Sequence, residues 1–160
     1  MTWYIHHGPG VVMLKEVLTG VVLIGTGTVT GIFVAVLVSV APAMAAMDRA
    51  EYLRAHALLG KGYHPLMPIL VNVVTLSGFA LAVLAEGPGR VLFPAASVLL
   101  IGVQAVSHLG NVPINRSLAG LAAEGPWQDP RPLWRAWHRL RTALAALALA
   151  TVTVAVLASP

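Results

Sequence analysis

Hydrophobic positions dominate four stretches of the chain, and the polar positions between them are unevenly spread. A helix that crosses the hydrocarbon core of a bilayer needs about 20 mostly apolar residues, because no backbone N–H or C=O can stay unpaired there. Val17 to Val40 meets that length without a charge, as does Leu66 to Leu84. The third stretch, Val91 to Ser107, is short, so its helix is expected to continue through His108. The fourth opens at His138, passes its last charge at Arg141 and runs to Ala158. The pattern predicts an all-α chain, one membrane domain over residues 1–160 folded as an antiparallel bundle of four spans. The first stretch is too long, and its leading positive charges too few, for a cleaved leader, so it reads as a retained span.

The connections carry their own signals. AEGPGR, between the second and third spans, is a tight turn. MDRAEYLRAHALLGKG, between the first and second, reads as a short helix along the membrane interface: Asp48 suits the N-cap with Glu51 three residues on, and Gly60 can end it. At about 100° per residue, Tyr52, His56 and Leu59 share one face while Arg54 points nearly opposite, so His56 turns inward if Arg54 meets water. RSLAGLAAEGPWQDPRPLW begins as a weak amphipathic helix and breaks at GPWQDPRP, a proline-rich loop and a candidate lid.

Composition and charge narrow the class. Hydrophobic residues make up 58% of the chain and charged ones 10%, far from the roughly one-quarter charged of soluble proteins. Cysteine is absent, which excludes disulfides, thiolate metal sites and cysteine nucleophiles. The net charge of +4 lies beside apolar runs rather than in an aromatic-studded basic patch, so it points to lipid phosphate and not to nucleic acid. Arg49, Arg54, Lys61, Arg116, Arg131, Arg135, Arg139 and Arg141 lie in or beside the two long connections, against Lys15 and Arg90 on the other side. That bias predicts a multi-pass protein of the cytoplasmic membrane with both termini extracytoplasmic.

The end of span one, the start of two, the end of three and the start of four then share one level, where nearly every unusual polar residue falls. Gln104, His108, Asn111 and Asn115 follow i, i+4, i+7, i+11 spacing and form one stripe if the helix continues through Pro113. Trp134, His138 and Arg141 share a face of span four, from which Arg135 and Arg139 can snorkel to phosphates. Span two contributes His64 at its mouth and Asn72, with Thr75, further inside. Structural readings compete for several of these. Asn72 and Gln104 suit helix-to-helix hydrogen bonds, His64 a headgroup contact, and Trp127, Trp134 and Trp137 interfacial anchors. Met44, Met47 and Met67 suit core filling, and Gly27 with Gly31 a close-packing seam. His6 and His7 fall on the opposite side and receive no role. What marks a pocket is the convergence of His56, His108 and His138 from three elements, with Asn111, Asn115 and Arg141 nearby.

VAPAM closing span one, YHPLMP opening span two, NVPIN after span three and WRAWHRLRT opening span four together resemble the anthrone oxygenase-like family of small membrane proteins. The resemblance extends roughly from Gly20 to Leu157. It implies an oxidoreductase of the kind that serves aromatic polyketide pathways, oxidising an anthrone to an anthraquinone with O2. The residues suit that chemistry: His108 or His138 as general base, Asn111, Asn115 and Arg141 as hydrogen-bond donors to an enolate oxygen. His56, His64, Asn72, Gln104 and Trp134 would line the slot for a flat hydrophobic aromatic substrate. No cofactor is required in this reading.

Two alternatives remain open at this point. His56, His108 and His138 could instead hold copper or iron, making the protein a metal-dependent membrane oxidase, although the dense carboxylates of metal-binding bundles are missing. Or the polar cluster only locks helix packing in a non-enzymatic membrane subunit. A homo-oligomer is compatible with each.

Overall fold

The structure, a computed structural model, describes residues 8–121 and 125–158. His6 and His7 lie outside the described residues. Five continuous helical stretches make up the described chain: α1 (Pro9–Ala46), α2 (Arg49–Tyr63), α3 (Leu66–Leu84), α4 (Gly89–Leu118) and α5 (Arg131–Leu157). All except α2 are long and apolar enough to cross a membrane.

The four long helices form a closed ring in chain order. Helix α1 packs on α3, α3 on α4, α4 on α5, and α5 returns to α1. The inner face of α5 shows why the ring closes tightly. His138, Thr142, Ala145, Ala148, Val152 and Ala155 are its buried residues. Their three- and four-residue spacing is one helix face, and the small side chains let neighbours approach. Thr30 uses that proximity, its Oγ1 donating to the Ala145 carbonyl at 3.1 Å. Outward the bundle is greasy: Leu76 is 68% exposed and Leu157 80% exposed. A surface of that kind needs an apolar solvent, which fits a multi-pass membrane protein.

The spans are longer than the apolar pattern predicts, and two prolines explain how. Pro42 and Pro113 lack an N–H and cannot bond the carbonyl four residues back. In each case the helix continues by widening just upstream into a π turn, Val36–Val40 in α1 and Ser107–Asn111 in α4. The turn in α4 moves the register. Val112, rather than Asn111, joins Gln104, His108 and Asn115 on the interior cavity, so the predicted stripe is correct at three of its four positions.

Helix α2 begins with a full capping box: Asp48 Oδ1 accepts from the Glu51 N–H at 2.8 Å, and Glu51 accepts from the Asp48 N–H at 3.1 Å. As the spacing predicts, Tyr52 is buried, His56 is half-buried and Arg54 is exposed. The predicted seam at Gly27 and Gly31 is not there, since a Cβ at either would meet nothing within 4 Å. Close approach occurs instead at Gly25 against Val74, Gly78 against Ser97 and Gly110 against the Trp137 ring.

The proline-rich loop is no lid. Among the described residues none from 119 to 130 lines the cavity. The loop lies against α2, where Arg49 Nη1 donates to the Gly125 carbonyl at 2.8 Å and the Arg49 guanidinium carbon stands 4.8 Å from the Trp127 ring centroid. Arg131 then latches the start of α5 to the end of α1, with Nη1 donating to the Met47 carbonyl at 2.8 Å and Nε to Asp129 at 2.8 Å. That bond to Arg131 holds the Asp129 carboxyl below its ordinary pKa, so the latch stays charged.

Candidate functional site

The polar ends of the four spans and α2 line an open-mouthed cavity of about 230 Å³. That is just under the roughly 300–1,000 Å³ of small-molecule pockets and suits a compact ligand of a few fused rings. Ile32, Val36, Met67, Val71 and Val103 supply apolar wall. Of the ten candidate site residues, His56, His64, Asn72, Gln104, His108, Asn115, Trp134 and Arg141 line it. Asn111 and His138 stand behind the wall, both buried.

The partners of His138 decide what that ring can do. Its Nε2 lies 3.0 Å from the Phe33 carbonyl oxygen, which only accepts, so Nε2 carries the proton. Its Nδ1 lies 2.8 Å from Arg141 Nε, which only donates, so Nδ1 supplies the lone pair. Both nitrogens are engaged and the ring is neutral. His138 therefore has no lone pair left for a substrate proton, and the expectation of His138 as a base is corrected to one of orienting Arg141. Trp134 stacks on the same imidazole, with centroids 5.1 Å apart and planes 14° apart.

Asn111 turns toward α5, its Nδ2 donating to the Trp134 carbonyl at 3.1 Å. It acts between helices and cannot reach a ligand in the cavity. That bond sits at the end of the π turn. A further wall residue, not among the candidates, comes three positions after Gln104. Ser107 lines the cavity and its Oγ lies 3.5 Å from Arg141 Nη1. Gln104 lines the cavity, and its Nε2 donates to Thr75 Oγ1 at 3.4 Å. Asn72 bonds the Pro68 carbonyl of its own helix at 2.9 Å and faces the cavity.

Donor and acceptor identities fix His56 as well. The Trp134 indole N–H can only donate, and it lies 3.0 Å from Asn115 Oδ1, which sets the orientation of that amide. The same oxygen lies 3.1 Å from His56 Nε2, which must therefore donate. The neutral His56 ring thus keeps its lone pair on Nδ1, which has no partner among the described residues. Burial lowers the His56 pKa below its ordinary value, partly opposed by the bond to Asn115, so the ring is neutral at pH 7. Tyr52, 5.6 Å away between ring centroids, is no rival base: burial foremost, with the Asp129 charge, pushes it up to about 12.

Arg141 is the fixed charge of the cavity. Besides its bonds to His138 and Ser107, its guanidinium carbon lies 4.7 Å from the Phe33 ring and 5.7 Å from the Trp134 ring. No carboxylate pairs with it among the described residues. The three histidines suggested as metal ligands do not form a set, and no group of three His, Asp or Glu is arranged to hold a metal among the described residues. His138 is committed elsewhere, and His108 is exposed at the rim.

The profile of the anthrone oxygenase family matches residues 55–151, well over half of the chain. The chain belongs to the anthrone oxygenase family. The matched region starts later than the resemblance in VAPAM suggests. It includes every candidate polar residue of the cavity, from His56 to Arg141. Phe33, which orients His138, lies before it. Neither the curated proteins nor the solved structures contain a match to the chain.

Proposed function

We propose that this anthrone oxygenase family member is a membrane-embedded oxygenase that converts a flat hydrophobic aromatic ketone of the anthrone type to the quinone with O2. The observation that carries this reading is the Trp134–Asn115–His56 chain, which leaves a neutral imidazole lone pair on His56, a residue that lines the same cavity as Arg141. His56 Nδ1 takes a proton from the methylene opposite the ketone. The resulting enolate oxygen accepts hydrogen bonds from Arg141 and Asn115 Nδ2. A positioned base contributes about 10²–10⁴-fold and a preorganised donor about 10²–10³-fold.

The electron-rich enolate passes one electron to O2, and the radical pair joins as a peroxide on the same carbon. Loss of the second C–H proton with O–O cleavage gives the second carbonyl and hydroxide, which the proton held on His56 turns into water. One anthrone and one O2 become one quinone and one water, so no cofactor is needed in this reading. The substrate reaches the cavity from the bilayer, with α2 lying along the interface. The Lys and Arg bias favours a cavity at the cytoplasmic face and extracytoplasmic termini.

The scaffold reading draws on the bonds from His138 to Phe33 and from Asn111 to Trp134, which do tie helices together. It gives no use to the unengaged His56 Nδ1 or to the cavity. The test is oxygen uptake by purified, metal-free protein given anthrone. Uptake equimolar with quinone formed is expected, and no uptake above the protein-free rate would remove the oxygenase reading.

A further inference from the structure

Asn115 and Arg141 bring uncommitted N–H donors to the cavity wall. Asn115 Oδ1 is taken by two N–H groups, so its Nδ2 is turned away from both and has no partner among the described residues. Arg141 is the one Lys, Arg, Asp or Glu among the described cavity-lining residues. Every group that touches its guanidinium is neutral: the His138 imidazole, the Ser107 hydroxyl, and the faces of Phe33 and Trp134. A guanidinium withdrawn from water and left without a countercharge is costly. A carboxylate in the place of His138 would have orientated Arg141 equally well and cancelled its charge. A neutral imidazole, with its tautomer set by the Phe33 carbonyl, orients it and leaves the charge available.

We infer that the cavity takes organic anions: a flat apolar body with one oxyanion, phenolate or carboxylate, that serves as the counterion of Arg141 in the resting complex, before any oxidation. The inference rests on the cavity being the substrate site and extends that reading, since it sets the charge of the bound molecule and not only of an intermediate. Phosphate on a two-tailed lipid fits less well, because a cavity of about 230 Å³ has room for one compact body.

The probes are 7-hydroxycoumarin, whose anion has its own excitation band, and 7-methoxycoumarin, which cannot ionise. Both are added to the purified full chain in neutral detergent, at a pH where free 7-hydroxycoumarin is neutral. The bound hydroxycoumarin is expected to show the anion band and to bind about tenfold or more tighter than the methoxy compound, the scale of one hydrogen bond to a charged group. Arg141→Gln is expected to lose the band and the added affinity while 7-methoxycoumarin still binds. Should that variant fail to fold, the comparison on the unaltered protein decides alone. Displacement by 2-naphthoate supports the inference for carboxylates, and displacement only by phenols supports it for phenolates. Equal affinity for the two coumarins, with the bound hydroxycoumarin neutral, overturns it. Anion binding without oxygen uptake from a hydroxylated anthrone would leave this inference standing and remove the oxygenase reading alone.

Discussion

His138 joins Phe33 to Arg141 through a single neutral ring, giving its Nε2 proton to the Phe33 carbonyl at 3.0 Å and taking the Arg141 Nε–H on Nδ1 at 2.8 Å. Three spans contribute to what surrounds it: Phe33 from α1, Ser107 from α4, and His138 with Arg141 from α5. The ring is fully buried, so it orients a charge and moves no proton.

His138→Gln is accordingly expected to act on stability and position together. A glutamine can satisfy the Phe33 carbonyl or Arg141 but cannot span both, and a buried group left unpaired costs about 1–3 kcal/mol. Thermal unfolding in detergent should fall, and oxygen uptake should drop by about tenfold or more with the pH profile unmoved. Abolished uptake at unchanged stability would return His138 to the role of base.

The pH profile belongs to His56. Its pKa is lowered by burial and partly restored by the hydrogen bond to Asn115. The neutral ring therefore persists in the folded protein to a pH below 6.5, whereas the unfolded chain takes up its proton near 6.5. Activity should fall only as pH drops through the lowered value. The stability His56 contributes is full above 6.5 and is lost over the same descent. Asn115→Leu removes the restoring bond and should move the acid limb of kcat/KM to still lower pH while cutting the maximum. An acid limb at or above 6.5 in the unaltered protein would contradict this assignment.

The glycines give a contrast that tests the packing without the chemistry. Gly110→Ala drives a Cβ into the Trp137 ring and is expected to destabilise by about 1–3 kcal/mol. Gly31→Ala meets nothing within 4 Å and should leave the unfolding temperature unchanged. A loss at Gly31 matching that at Gly110 would mean that the outer face of α1 is covered.

Much of this was legible in the sequence because the deciding interactions are local. The Asp48–Glu51 cap is three residues long, and the inward turn of His56 follows from its spacing to Tyr52 and Arg54. The four spans follow from apolar length alone. Asn111 falls off the stripe because a π turn ends at it, and the sequence shows only that turn's companion, Pro113. The role of His138 was out of reach for a different reason: Phe33, which fixes its tautomer, is 105 residues away in the chain. Gly27 and Gly31 have the right spacing for a seam but lie on the outer side of α1, a fact set by how α1 rotates against α3.

Orientation is a separate expectation. A reporter fused after Pro160 should read as extracytoplasmic, given the excess of Lys and Arg at the cavity end of the bundle. A cytoplasmic signal would put the cavity at the outer face.

The most direct test of the account is oxygen uptake by His56→Gln with anthrone as substrate. Glutamine can keep the hydrogen bond to Asn115 Oδ1 through its amide N–H, so the fold and the binding of 7-hydroxycoumarin should survive. The lone pair that takes the proton is gone. Uptake is expected to fall by about 10²-fold or more, with the protein folded and the coumarin still bound. Uptake at the unaltered rate would show that the proton leaves by another route and that His56 is not the base.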